Sequence, residues 1–223
     1  MEAHMVFLIL HVACGSVALL TAAMAFMTEK GPRFHAKVGR VYGGAMVGVG
    51  LTAVILWLLG ATVFLLFIAF FSTYLVLSGW RMGRNRKGSV DGQDRALILF
   101  GSIGGLGLLA MSVSILITGE GPFGDGRGFA AVPLVFGLLS GGLAILQQRL
   151  TNGGTGPRGK LRIQMHTLYM GSGTIATVTA FVVTALDGGV FAWLMPTVVG
   201  TALLTWNLRG VRLGSIASAQ TTV

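Results

Sequence analysis

Histidine is the residue type in this sequence best suited to chemistry, and it occurs four times, at positions 4, 11, 35 and 166. A neutral imidazole binds zinc, copper, iron or nickel, and histidines are also axial ligands of haem iron. His11, His35 and His166 lie within or at the ends of apolar stretches, where an ionisable side chain is costly and usually has a partner. We therefore take these three as candidate cofactor-binding residues, with haem b or a metal ion as the candidate cofactor. The sequence does not specify which metal.

His35 and His166 are predicted on the same side of the membrane, near the cytoplasmic ends of the second and sixth apolar stretches. Helix bundles often hold cofactors between facing helices, so this shared depth permits a joint haem or metal site. The alternative is that His35 is a loop residue that contacts lipid phosphate, while His166 donates a hydrogen bond to a neighbouring helix. From the sequence alone we favour this alternative. In either case His166 should face the bundle interior, because an unpaired imidazole is costly to bury.

His11 has two other metal-binding side chains near it in the sequence. His4 precedes it by seven residues, roughly on the same side of a helix, and Cys14 follows it by three. The three side chains could converge on a soft metal such as copper. The alternative, which we favour, is that His4 is an exposed terminal residue and His11 hydrogen-bonds a neighbouring helix. Cys14 is the only cysteine, so the chain has no internal disulfide.

Tyr42 and Tyr169 are predicted just inside the cytoplasmic interface. Aromatic side chains at this depth usually anchor a helix in the membrane. The two tyrosines are also related by an internal repeat, and a symmetric pair of hydroxyls could line a cavity. Both are therefore candidate ligand-lining residues.

Several reaction classes are disfavoured by the positions of the acidic and basic residues. No Asp or Glu is predicted inside a membrane span, whereas proton pumps and many ion-coupled transporters place carboxylates at mid-membrane. The last span has no lysine for a retinal Schiff base, and no acid is placed to complete a Ser-His-acid triad. We therefore predict no catalytic residue and a non-enzymatic protein.

The elements that carry these residues are predicted to be seven transmembrane helices of an all-α membrane protein. The chain is 53% hydrophobic and only 10% charged, with a mean hydropathy of +0.79, whereas a soluble domain carries about a quarter charged residues. Seven apolar runs have the length of roughly 20 residues that a helix needs to cross a bilayer. These runs are Met5–Met27, Val38–Leu59, Ala61–Gly79, Ala96–Thr118, Phe129–Leu146, Ile163–Leu186 and Val190–Leu208.

Glycine is unusually frequent, with 35 occurrences. Small residues let helix backbones approach closely in lipid, where no hydrophobic effect drives helices together. The fifth run, which contains Pro133 and ends next to Gln147, is the weakest of the seven. Close helix contacts are predicted at Gly44-x3-Gly48, Gly101-x3-Gly105 and Gly137-x3-Gly141.

Lysine and arginine are distributed very unequally between the two ends of the predicted helices. Fifteen of the sixteen fall on one side, and only Arg127 falls on the other. Short loops rich in Lys and Arg stay in the cytoplasm. The N-terminus is therefore predicted outside and the C-terminus inside. The net charge of +9 predicts contact with anionic lipid headgroups at the cytoplasmic face, and nothing in the sequence points to nucleic acid.

Short matches recur along the chain at a nearly constant offset of 125–127 residues. They are Gly15-x2-Ala18 with Gly141-x2-Ala144, Gly31-Pro32-Arg33 with Gly156-Pro157-Arg158, Tyr42-x-Gly44 with Tyr169-x-Gly171, and Trp80 with Trp206. A constant offset over three consecutive spans predicts an internal duplication of the parallel 3+1+3 kind. Within a single transmembrane domain, 1–223, repeat one is residues 5–82, the connector helix is 96–118 and repeat two is 129–210.

The glycines and tyrosines that follow the histidines form a recognisable pattern. It reads His35-x3-Gly39-x2-Tyr42, preceded by His11-x3-Gly15-x2-Ala18-Leu19 and followed by a stretch from His166 through Tyr169 to Thr179-Ala180-Phe181. With this pattern the chain resembles a family of predicted bacterial multi-pass membrane proteins of unknown function, mainly in spans one, two and six. The resemblance implies a location in the bacterial plasma membrane and a role for the histidines. It brings no established activity.

Two functions follow from these observations. The first is a non-enzymatic membrane protein that binds a small ligand or a partner between its two repeats, either as a carrier or as a subunit of a membrane complex. The second is a membrane redox protein that holds haem b or a metal through His35 and His166, or through His11. An absorption spectrum would distinguish them, because a haem gives a Soret band.

Overall fold

The computed structural model of the chain describes residues 2–28, 33–186 and 189–220, with side chains described up to residue 208. In these segments the chain forms seven α-helices and one short 3-10 helix at Arg127–Ala130. The α-helices are α1 (Glu2–Met27), α2 (Phe34–Leu58), α3 (Val63–Arg84), α4 (Gly92–Thr118), α5 (Ala131–Thr151), α6 (Gly159–Leu186) and α7 (Gly189–Gln220). Lys30, Gly31 and Pro32, and the side chains of Arg209 and Arg212, lie outside the described residues.

All seven helices are long and apolar enough to cross a membrane, so the predicted number of spans is confirmed for the described part of the chain. Each helix coincides with one predicted run, but α2 to α6 extend four or five residues further at one end of the bundle. At this end, α3 and α5 finish and α2, α4 and α6 begin. We call it the cation-rich end, because most of the described arginines and lysines lie there. Helical hydrogen bonds do not require apolar side chains, so the helices continue past the apolar runs.

The fifth span is a regular helix despite its proline. Pro133 is the third residue of α5, and α5 follows the 3-10 turn directly. The first N–H groups of a helix have no partner within the helix, so the N–H that proline lacks is not missed there. The apparent weakness of this run therefore marks the start of a helix and not a break.

Helices α3 and α6 form the centre of the bundle. α3 packs against α2, α4 and α6, and α6 packs against α3 and α7. On one side α1 packs along α2 and touches α6. On the other side α5 packs along α4 and touches α3 and α7.

The two predicted repeats do not have equivalent packing. In residues 5–82 the backbone of α1 packs along α2, whereas the described backbones of the corresponding helices α5 and α6 make no direct contact. α5 packs instead along α4, the predicted connector. A duplication predicts the same helix neighbours in both halves. The helix packing therefore does not confirm the 3+1+3 duplication, and the constant offset remains an observation of sequence.

Two of the predicted glycine contacts face each other where α4 meets α5. A Cβ added to Gly105 would lie 2.9 Å from the backbone nitrogen of Gly141 and 3.2 Å from the carbonyl oxygen of Gly137. The hydroxyl of Ser140 donates to the carbonyl oxygen of Gly101 at 2.8 Å. The backbones therefore approach closely, and the close helix contacts predicted at these two glycine pairs are confirmed.

Apolar side chains cover the outside of the bundle, and polar side chains lie within it. Leu58, Leu106 and Val198 are 69%, 67% and 68% exposed, whereas Ser140 and Gln147 are completely buried. Water would disfavour such a surface, but lipid hydrocarbon favours it, and interior polar groups can hydrogen-bond across helices. The chain is therefore a multi-pass α-helical membrane protein.

The loop after α3 is fastened to the start of α4 at the cation-rich end. Arg81 donates to Asp94 from Nε at 3.1 Å and from Nη2 at 2.8 Å. Asp94 is only 5% exposed and forms the capping box of α4 together with Asp91. An antiparallel bridge between Ser89 and Thr155 links the same loop to the loop before α6. These contacts tie the end of α3 to the start of α6.

Candidate functional site

Two glycines four residues apart line the surface of α3 that faces α6. A Cβ on Gly83 would lie 2.7 Å from Nδ1 of His166, and a Cβ on Gly79 would lie 2.7 Å from Cγ of Met170. These glycines therefore leave two recesses on α3, which are filled by His166 and Met170, one turn apart on α6. Any larger residue at position 83 would displace the imidazole.

His166 is oriented by a hydrogen bond to the backbone of α3. Its Nδ1 lies 2.7 Å from the carbonyl oxygen of Gly79. A carbonyl oxygen only accepts hydrogen bonds, so Nδ1 is the donor, and in the neutral imidazole Nε2 carries the lone pair. His166 thus has a polar partner inside the bundle, which confirms the prediction for this residue.

The structure brings His35 and His166 together. The centroids of the two imidazole rings are 6.4 Å apart, and the ring planes are nearly perpendicular at 84°. Nδ1 of His35 is buried and has no hydrogen-bond partner among the described residues. The interpretation of His35 as a loop residue is wrong, because α2 begins at Phe34 and His35 lies in its first turn.

Arg162 sets the register of α6 against α3. It lies one turn before His166 and donates from Nη1 to the carbonyl oxygens of Gly83 at 2.5 Å and Met82 at 3.3 Å. These carbonyls belong to the last turn of α3, which has no helical partners for them and carries the negative end of the helix dipole. By capping α3, Arg162 holds α6 in the register that places His166 opposite Gly83.

Trp80 fills the space between α2 and α3. A Cβ on Gly43 of α2 would lie 3.7 Å from the Trp80 ring. The guanidinium of Arg84 lies 5.1 Å from the centre of the same ring, within the range of a cation–π contact. An aromatic and a cationic side chain therefore lie together near the end of α3.

His11 belongs to a different part of the molecule. Its Nδ1 lies 2.9 Å from Oγ1 of Thr52 on α2. Thr52 is 17 residues beyond His35 on the same helix, which corresponds to about 25 Å of helix length. His11 therefore cannot share a cofactor with His35. Nearby, Cys14 packs against Gly48, where a Cβ would lie 2.8 Å from its sulfur.

For His4, His11 and Cys14 the structure agrees with the favoured interpretation and not with convergence on a metal. Among the described residues, no group of three or more His, Cys, Asp or Glu side chains is arranged to hold a metal ion. His4 is exposed, and the contact of His11 with Thr52 is the interhelical hydrogen bond of the alternative interpretation.

Tyr42 and Tyr169 are both buried, and protein groups occupy their hydroxyls. The Tyr42 hydroxyl lies 3.2 Å from Oγ1 of Thr177 on α6. The Tyr169 hydroxyl donates to the carbonyl oxygen of Leu143 on α5 at 2.6 Å. The two tyrosines bridge different helix pairs, α2–α6 and α5–α6, and so are not equivalent. These contacts hold helices together and are not symmetric, so they do not support a symmetric ligand-lining pair, and that role stays a prediction.

A buried polar cluster between α3, α5 and α6 was not predicted. The Tyr74 hydroxyl donates to Oε1 of Gln147 at 3.1 Å, and the Tyr74 ring packs against that of Tyr169 with centroids 6.0 Å apart. Nε2 of Gln147 and Oγ of Ser78 are buried without a hydrogen-bond partner among the described residues. A glutamine in an apolar run is a signal for such a cluster. Its partners lie on distant spans, however, and spacing does not identify them.

An apolar groove of about 640 Å³ opens between α5 and α7. Val198 and Trp206 in its wall are 68% and 74% exposed, so the groove faces the lipid. None of the candidate site residues contributes to it. The lining residues are Val135, Leu139, Thr197, Val198, Thr201, Ala202, Thr205 and Trp206.

Comparison with known proteins adds no family to this geometry. No model of a known protein family matches the chain, and no curated protein or solved structure is significantly similar to it. The resemblance carried by the His-x3-Gly-x2-Tyr pattern therefore stays a prediction. The histidine pair must be interpreted from its own contacts.

Proposed function

We propose that the protein is a non-enzymatic membrane protein that binds a small ligand or a partner through His35 of α2 and His166 of α6. It would serve as a carrier or as a subunit of a membrane complex. The observation that carries this proposal is the distance of 6.4 Å between the centroids of the two imidazole rings. One ring belongs to residues 5–82 and the other to residues 129–210, so the pair connects the two predicted repeats. Nδ1 of His35 supports it, because this atom has no hydrogen-bond partner in the described part of the chain, and a buried polar atom without a partner costs about 1–3 kcal/mol. A bound ligand would remove that cost.

Native mass spectrometry of protein extracted from its membrane in mild detergent tests this proposal. We expect the wild-type protein to carry a mass beyond that of the chain and its lipids. The double variant His35→Ala/His166→Ala should lose this mass, while the exposed-residue control His4→Ala should keep it. An equal added mass on the wild-type protein and on the double variant would refute the proposal.

The second candidate function is a redox protein that holds haem b or a metal ion between His35 and His166. The orientation of His166 favours it, since histidines that bind metals usually donate their other ring N–H to a carbonyl or carboxylate. The bond from Nδ1 to Gly79 has this form. An absorption spectrum and a metal analysis of the purified protein test it. Absence of both a Soret band and bound metal would overturn it.

The orientation and location of the protein belong to the same proposal. The N-terminus would lie outside and the cation-rich end would lie in the cytoplasm of a bacterium, with the helices in the plasma membrane. The described cations at that end support contact with anionic lipid headgroups. Reconstitution into nanodiscs that contain or lack an anionic lipid, followed by native mass spectrometry of the lipids that stay bound to the protein, tests this contact. The 3+1+3 duplication stays a prediction, and the unequal packing of α1–α2 and α5–α6 counts against it.

A further inference from the structure

The buried polar cluster between α3, α5 and α6 is centred on one hydroxyl group. Its members are Tyr74, Ser78, Gln147 and Tyr169, and all four are completely buried. The Tyr74 hydroxyl donates to Oε1 of Gln147 at 3.1 Å. The hydroxyls of Ser78 and Tyr169 lie close to the same Tyr74 hydroxyl. Polar side chains from three helices therefore share one small volume inside the bundle.

Gln147 uses only one end of its side-chain amide in this cluster. Its Oε1 accepts from Tyr74, whereas its Nε2 is buried and has no hydrogen-bond partner among the described residues. Nε2 carries two N–H groups and no lone pair, so it needs an acceptor. Inside a membrane protein the surrounding lipid cannot supply one, which makes an unpaired N–H especially costly.

Ser78 is the second member of the cluster whose polar atom has no partner in the described part of the chain. Serine and threonine in helices often donate to the carbonyl oxygen four residues earlier. Thr151 and Thr177 do so at 2.9 Å. Ser78 does not make this bond, so its hydroxyl can both donate to and accept from a group outside α3.

The chemistry of the cluster restricts what could bind there. An organic molecule would have to displace a side chain, because all four members are completely buried. All four are also neutral, so a buried ion would have no opposite charge beside it. A water molecule is small and neutral, and it both donates and accepts hydrogen bonds. Buried waters typically make about three hydrogen bonds to polar groups that otherwise have no partner.

Water can reach this depth from the cation-rich end. Gln147 lies four residues before the end of α5 at Thr151, which corresponds to about 6 Å of helix. Ser78 lies six residues before the end of α3 at Arg84. Both side chains are therefore within two turns of the same end of the bundle.

We propose that the buried polar cluster binds a water molecule, which accepts a hydrogen bond from Nε2 of Gln147 and donates one to Oγ of Ser78. The water links α5 to α3 beside the direct bond between Gln147 and Tyr74. This site is separate from the histidine pair, and the inference does not rest on the proposed function.

X-ray hydroxyl-radical footprinting of the purified protein tests whether water is bound there. Brief irradiation forms hydroxyl radicals from water in place, and these radicals oxidise the side chains that touch that water. We expect Tyr74 to be oxidised several-fold faster than Tyr42. Tyr42 is the matched control, because it is also buried and its hydroxyl pairs with Thr177. Ser78→Val, which replaces the hydroxyl with a methyl group, should slow oxidation of Tyr74 to the rate of Tyr42.

The stability of Ser78→Ala tests whether Ser78 is a partner of the water. Loss of a hydrogen bond should raise the unfolding equilibrium constant about threefold to tenfold, whereas removal of a hydroxyl without any partner should leave it unchanged or lower it. Ser140→Ala is the matched control, because Ser140 is equally buried and donates to Gly101, and it should raise the constant in the same way.

Three results would overturn the inference. They are equal oxidation of Tyr74 and Tyr42 in the wild-type protein, oxidation of Tyr74 that is unchanged in Ser78→Val, and a Ser78→Ala variant that is at least as stable as the wild-type protein. If Ser78→Val does not fold, Ser78→Ala replaces it in the footprinting experiment. Loss of one partner of the water should slow oxidation of Tyr74 in that variant too.

Discussion

Substitution of Gly105 by alanine should force α4 and α5 apart. The new Cβ would lie 2.9 Å from the backbone nitrogen of Gly141 and 3.2 Å from the carbonyl oxygen of Gly137. Carbon needs about 3.5–4.0 Å from such atoms, and backbone atoms cannot rotate away as a side chain can. Overpacking of this kind costs about 1–3 kcal/mol, whereas alanine returns at most about 1 kcal/mol of helix propensity. We expect Gly105→Ala to lower the free energy of unfolding by about 1–2 kcal/mol.

Gly141→Ala is the matched control for Gly105→Ala on the facing helix. A Cβ on Gly141 meets no atom within 4 Å, so this variant keeps the propensity gain without a clash. It should be as stable as the wild-type protein or up to about 1 kcal/mol more stable. Thermal or denaturant unfolding of both variants in the same detergent measures the difference. Equal shifts for the two substitutions would refute the close approach of α4 and α5.

Two further predictions concern the ion pair and the topology of the chain. Asp94→Asn should cost about 1–3 kcal/mol of unfolding free energy, because it removes the charge of a nearly buried carboxylate that accepts two hydrogen bonds from Arg81. Asp91→Asn should cost less than about 1 kcal/mol, since its carboxylate is half exposed and asparagine is an equally good N-cap. In an otherwise cysteine-free chain, a cysteine at position 124 should react with an impermeant reagent outside intact cells, and one at position 154 should be protected. Labelling of position 154 from outside would reverse the proposed orientation.

The helices were predictable from the sequence because a bilayer imposes a minimum apolar length on each of them. Pro133 did not interrupt this pattern, since it lies in the first turn of α5. Which helices become neighbours was not predictable in the same way. Tyr42 and Tyr169 share a sequence pattern, yet one bridges α2 to α6 and the other bridges α6 to α5. Pairwise contact between distant spans depends on the fit of their surfaces, and short sequence matches do not encode that fit.

The histidine pair shows where prediction from this sequence stops. Helix rise gives the depth of a residue, so the shared end of His35 and His166 followed from their positions in the second and sixth spans. Their lateral approach depends on α3, which lies against both helices. Gly83 leaves the recess that His166 enters, and Arg162 fixes the register by capping α3. Both residues look ordinary in the sequence, one as a loop glycine and one as a topology-determining cation. The roles of these two residues depend on helix packing. A larger residue at Gly83 displaces the His166 ring without removing it, so substitution there separates the placement of His166 from its chemistry.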